Sequence, residues 1–186
     1  MKRFIFALAL LVMGTAAISP KVEASTQQLL LAQAQPSEKV PEVKINLGEF
    51  KLPQAAPSNT RSPNTKKVQA LLERAAQRGD SGDLKGALQD ANQALKLDPN
   101  NPIAYGVRGR IYFGLGNYKQ AIADSTKAIQ ILPDYYAAYR VRGACYYYQG
   151  NKRAAIADLQ KSASLAEKYG DKAYAQEVRD VIKQIR

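Results

Sequence analysis

Residues 102–135 read PIAYGVRGRIYFGLGNYKQAIADSTKAIQILPDY, and the next 34, 136–169, read YAAYRVRGACYYYQGNKRAAIADLQKSASLAEKY; the two agree at 14 positions. Residues 68–101, VQALLERAAQRGDSGDLKGALQDANQALKLDPNN, fall into the same frame. Five columns are identical in all three windows: Ala70/Ala104/Ala138, Arg74/Arg108/Arg142, Gly82/Gly116/Gly150, Ala87/Ala121/Ala155 and Asp90/Asp124/Asp158. A fixed period of this length signals a repeat architecture in which each unit buries its face against its neighbours.

Each window reads as two helices. In 102–135, Asn101 caps the first helix and Pro102 suits its first turn. Tyr105, Ile111, Tyr112 and Leu115 then recur at helical spacing until Gly116-Asn117 breaks the run. A second helix carries Ile122, Ala128, Ile129 and Ile131, and Pro133 ends it. The small residues Gly109, Ala121 and Ala128 allow close approach of the pair, as do Ala75, Ala87 and Ala94 in the first window and Gly143, Ala155 and Ser162 in the third. Glu167 replaces the closing Pro in the third window, so its second helix is expected to run on to Lys168. Residues 171–186 read as a seventh helix with an apolar stripe of Ala173, Ala175, Val178, Val181, Ile182 and Ile185, the pattern of a terminal cap.

With Tyr105, Gly109, Tyr112, Ala121, Ala128 and Pro133 at their places in a 34-residue period, the region from Val68 to Arg186 resembles the tetratricopeptide repeat family. The wording Tyr105-Gly106-Val107-Arg108-Gly109 and Ala121-Ile122-Ala123-Asp124 looks most like repeats common in cyanobacterial proteins. The first window departs furthest, with Arg78 where an aromatic is usual. The expected fold is all-α: a right-handed α-solenoid of three helix-turn-helix units plus a C-terminal capping helix, occupying residues 64–186.

The resemblance implies a concave groove lined by the first helix of each unit. Carried onto this chain, the groove holds Gln69, Leu72 and Ala76, then Ile103, Gly106, Arg110 and Phe113, then Ala137, Arg140, Ala144, Tyr147 and Tyr148. Arg110, Phe113, Arg140, Tyr147 and Tyr148, with Tyr136 and Ile103, have the composition of a peptide-binding hot spot and are the candidate site residues. Arg140 and Tyr147 are seven residues apart and are expected on one face, where their joint replacement would abolish capture and leave stability nearly unchanged. Family members that clamp a chaperone's terminal carboxylate use Lys, Asn and Arg at five groove positions. Those positions here are Leu72, Ala76, Val107, Ala137 and Val141, so the clamp is absent.

The Arg and Asp columns have a structural reading. Arg on the first helix and Asp on the second are 16 residues apart across one turn, at similar height, so each unit is expected to hold an internal ion pair: Arg74–Asp90, Arg108–Asp124 and Arg142–Asp158. Cys145, mid-helix between Ala144 and Tyr146, reads as a small core residue.

Composition removes the enzymatic readings. The 186 residues contain no His, no Trp and one Cys. That excludes a His-based zinc site or general base, a Ser-His-Asp triad, a Cys-Cys zinc knuckle and an internal disulfide. Neither a catalytic group, a cofactor nor a metal is expected.

The N-terminal third differs in character. Lys2 and Arg3 precede an apolar run over 4–18, and Val22-Glu23-Ala24 follows, the order expected of a secretory signal peptide over 1–24 with Ser25 as the mature start. The apolar run is shorter than a membrane span requires. Residues 25–63 are rich in Gln, Ala, Pro and Ser and are expected to be a disordered linker, broken by Pro36, Pro41, Pro53, Pro57 and Pro63. Within it Val43, Ile45 and Leu47 alternate with Lys44 and Asn46, ahead of Phe50 and Leu52. That period of two leaves two readings, an extended tether or a segment that docks on a surface or in a groove.

There are 27 Lys and Arg against 16 Asp and Glu, a net charge of +11. Export argues against nucleic acid as the partner. The expected function is a non-enzymatic scaffold in the periplasm, the extracellular space or a thylakoid lumen, binding a protein segment with acidic ones favoured by the groove arginines. The alternatives are a basic binder of anionic lipid or polysaccharide and a self-stacking assembly subunit.

Overall fold

The computed structural model describes Ile45, Leu47 and residues 64–186. The signal segment over 1–24 and the rest of the 25–63 linker lie outside the described residues. Among the described residues seven helices follow in order: α1 (Thr65–Asp80), α2 (Leu84–Leu97), α3 (Pro102–Gly114), α4 (Tyr118–Ile131), α5 (Tyr136–Tyr148), α6 (Lys152–Lys168) and α7 (Lys172–Ile185). They pack as α1 on α2, α3 on α4 and α5 on α6, and each pair leans on the next through α2–α3 and α4–α5. The first helices also touch one another, α1 with α3 and α3 with α5. That layer is the inner, concave side of the solenoid.

Local sequence accounts for the helix ends. Asn101 accepts from the Ala104 amide, with Pro102 in the first turn. Asp83, Asn151 and Asp171 cap α2, α6 and α7 in the same way. These side chains satisfy amides that the helix itself leaves unbonded. The shared turn glycine adopts positive φ at Gly82, Gly116 and Gly150 (87°, 73° and 79°), a conformation that a side chain disfavours. Without the closing Pro, α6 runs to Lys168, 17 residues against 14 for α2 and α4.

Close approach inside each pair rests on the small columns. A Cβ on Gly109 would stand 3.0 Å from Ser125 Oγ and 3.3 Å from the Ala121 carbonyl oxygen, so α3 and α4 meet almost backbone to backbone. Ala87, Ala121 and Ala155 are fully buried at the matching place on the second helices.

The ion pairs form as the 16-residue spacing demands. Arg74 Nε and Nη2 donate to Asp90 at 2.8 and 2.6 Å, and Arg108 to Asp124 and Arg142 to Asp158 each at 2.7 and 2.9 Å. All three carboxylates are buried, where an unpaired charge would be costly. Arg78, in the aromatic column, is a second cation on Asp90 at 2.9 Å. Tyr112 and Tyr146, its counterparts, are half-buried. Each later Arg also reaches the preceding unit: Arg108 Nη1 donates to Asn92 Oδ1 at 2.9 Å and Arg142 Nη1 to Thr126 Oγ1 at 3.2 Å.

The cap differs in one position from the expected stripe. Ala175, Val178, Ile182 and Ile185 are buried against α6, but Ala173 is exposed. Ala70 is likewise exposed while Ala104 and Ala138 are buried, because among the described residues no repeat precedes α1. Among the described residues no helix is long and apolar enough to cross a membrane.

Candidate peptide groove

The inner face of α1, α3 and α5 forms a trough whose floor is apolar. A cleft of about 240 Å³ opens in it, lined by Ile45, Leu47, Ala75, Ala76, Gly79, Leu84, Val107, Arg110, Ile111, Phe113 and Gly114. Arg110 stands at its rim, its guanidinium donating to Asp80 at the end of α1 (2.8 Å).

Beyond the cleft lies an aromatic group. The Phe113 ring packs at 5.8 Å from Tyr118 and edge-on at 5.6 Å to Tyr148, and Tyr118 and Tyr148 stack at 5.1 Å with planes 11° apart. Tyr147 meets Tyr148 edge-on at 5.7 Å. Such pairings fix ring orientation as well as burying area.

Arg140 and Tyr147 do share the inner side of α5, but both are buried, each 3% exposed. Arg140 donates to Glu177 of α7 at 3.1 Å and lies over the Tyr174 ring at 4.8 Å. Tyr136, half-buried, donates to Asp171 at 3.4 Å and meets the same Tyr174 ring edge-on at 4.9 Å. The cap helix therefore seals this end of the trough. This corrects the expectation that losing Arg140 and Tyr147 would leave stability unchanged: Arg140 is held by α7, and Tyr147 is buried in the core cluster that also contains Ile45. Ile103, half-buried, packs against the junctions at α2 and at Tyr135, at the opposite end of α3 from Phe113.

Several determinants lie outside the expected set. Tyr135 is fully buried and fills the space over Gly106, where a Cβ would fall 2.5 Å from its ring, so Gly106 is covered instead of lining an open groove. Burial raises the Tyr135 phenol above its ordinary range, as it does Tyr174. Two contacts share an offset of 30 residues, Asp80–Arg110 and Tyr118–Tyr148. That is one period less a helical turn, so a self-comparison at period minus four could have found both. Cys145 is buried and its thiol is pushed up to about 12 by desolvation, which makes it inert at neutral pH. No group of three or more metal-ligating side chains occurs among the described residues.

The tetratricopeptide repeat family model matches residues 80–123, equal shares of the first and second units. Over those residues the chain matches the tetratricopeptide repeat family. Solved structures share the fold at low identity. The first tetratricopeptide domain of Spaghetti (RPAP3), bound to an HSP90 peptide, is 22% identical over 65% of this chain and 91% of that one, with a TM-score of 0.58. The TPR2B domain of yeast Sti1, in its complex with pHsp70, is 18% identical over 65% and 97%, with a TM-score of 0.61. Pseudomonas aeruginosa PcrH, with the chaperone binding region of PopD, is 15% identical over 64% and 91%, with a TM-score of 0.60. No curated protein matches the sequence.

Proposed function

We propose that the protein is a non-enzymatic scaffold, exported from the cytoplasm, which holds an extended segment of a partner protein along α1, α3 and α5. The observation that carries this is the apolar cleft between α1 and α3, floored by Ala75, Val107 and Ile111 and walled by Phe113. Its support from fold is that the Spaghetti domain was solved with an HSP90 peptide, PcrH with the chaperone binding region of PopD, and the Sti1 domain in complex with pHsp70.

Recognition in this groove is by shape and apolar contact. Leu72, Val107 and Val141 are buried and Ala76 and Ala137 half-buried, so no cation stands where a carboxylate clamp would need one. Arg110 and Arg140, the two cations expected to favour acidic partners, are ion-paired to Asp80 and Glu177. Pairing inside the chain weakens their pull on an outside acid, and leaves the aromatic wall as the anchor.

A photo-crosslinking side chain at Ala76, in the cleft, and another at Lys127, on the exposed face of α4, test this in the native compartment. Crosslinking of one discrete protein from Ala76 and not from Lys127 is expected. Equal crosslinking of the same protein from both would overturn the groove in favour of surface charge. Intact mass of the native protein tests export, and retention of residues 1–24 would refute it.

A further inference from the structure

We propose that the groove already has an occupant, the chain's own segment carrying Ile45 and Leu47, held as an extended ligand that a partner must displace. This rests on the reading of the groove as a peptide site. Ile45 lies 20 residues ahead of α1 and yet is only 4% exposed, a member of the buried cluster that includes Ala144 and Tyr147 of α5. Leu47, half-buried, packs against that same cluster and against the one formed by Val141, Cys145 and Ala121. Residues two apart share one face of an extended chain, so two such side chains entering one trough match the pattern of an extended ligand. The alternation of Val43, Ile45 and Leu47 with Lys44 and Asn46 is the matching sequence signal.

The seat is incomplete. Ile45 and Leu47 cover the α5 end, and the cleft beside them runs on toward Ala75, Gly79 and Leu84. An incoming segment with apolar residues two apart can begin there and strip the resident one. The resident segment is covalently joined to α1, with 17 residues between Leu47 and Thr65, so a free copy competes with an intramolecular ligand. A free copy of equal intrinsic affinity is therefore outcompeted.

The test uses the full chain, wild type and Ile45→Asp/Leu47→Asp, with a fluorescein-labelled peptide of residues 41–52 as probe. The peptide is expected to bind the double variant at least tenfold more tightly than wild type. Because the chain has no tryptophan, Leu47→Trp adds a single reporter, expected to emit as a shielded indole and to shift red when the unlabelled peptide saturates the groove. Equal peptide affinity for wild type and double variant, or a solvent-exposed indole in the resting protein, would overturn the proposal. Peptide bound to neither protein while a partner still crosslinks at Ala76 removes the resident segment and keeps the partner reading. Tight binding to the double variant with no partner at Ala76 does the reverse.

Discussion

Replacing Arg108 by Ala removes two charge-assisted bonds to Asp124, at 2.7 and 2.9 Å, and the bond to Asn92 at 2.9 Å. The guanidinium also lies 5.6 Å from the centre of the Tyr105 ring and 6.0 Å from that of Tyr112. Asp124 is left in a buried place with no cation, and breaking a buried pair from one side costs about 3–5 kcal/mol. The Arg108 side chain is 22% exposed, so water reaches the pair and the lower end of that range applies. The Asn92 bond adds about 1 kcal/mol, for an expected loss of about 4 kcal/mol. For a folded unit of this size that corresponds to a fall in Tm of about 15 °C. Calorimetry on the single variants Arg108→Ala and Asp124→Ala and on the double variant completes a cycle. The double variant should lose about 2 kcal/mol less than the sum, because it strands no charge. A fall in Tm below about 4 °C for Arg108→Ala, or additivity of the two singles, would refute the buried-pair reasoning.

Three further outcomes follow from the geometry. Hydrogen bonding from Arg74 holds the Asp90 carboxyl below its usual range, so its contribution is present above the ordinary carboxyl pKa and is lost as pH falls through the lowered folded value; acid melts of Asp90→Asn should show a flatter dependence below about pH 4 than wild type. Gly106→Ala should cost about 1–3 kcal/mol by pushing a methyl into the Tyr135 ring, whereas Tyr135→Phe should match or slightly exceed wild type in a melt, because the buried hydroxyl has no hydrogen-bond partner among the described residues. Cys145 should stay unmodified by a thiol reagent at pH 8 in the native protein and react on unfolding, a contrast that mass spectrometry reads directly.

The helices, their caps and the ion pairs were legible because each is fixed by residues close in sequence or one turn apart: Asn101 before Pro102, Arg and Asp 16 apart, Glu167 in place of a Pro. The groove was legible only in outline. Phe113 and Tyr148 lie together where the 34-residue frame puts them, but the fate of Arg140 depends on Glu177 and Tyr174 in a helix that has no counterpart in the repeat. Gly106 invited an open reading because the frame places it inward, yet Tyr135, the last residue of its own window, covers it. The alternation around Ile45 and Leu47 was visible as a strand-like pattern, but a period of two names no surface. Only the burial of Ile45 connects it to α5.

The arginine that joins each unit to its predecessor has a consequence for how such a chain can lengthen. The acceptors on the second helices are Asn92 and Thr126, and the next residue in that column is Gln160, also an oxygen-bearing side chain and exposed. The donor travels inside the 34-residue unit together with its own Asp, so a duplicated unit arrives with both its internal clasp and its link backward. All it requires of the surface it lands on is one amide or hydroxyl oxygen. A tandem copy inserted between Tyr169 and Gly170 would find Gln160 waiting and would hand α7 the same kind of face it covers now. The link that joins one unit to the next is thus carried by the incoming unit itself, and asks of its neighbour a single oxygen.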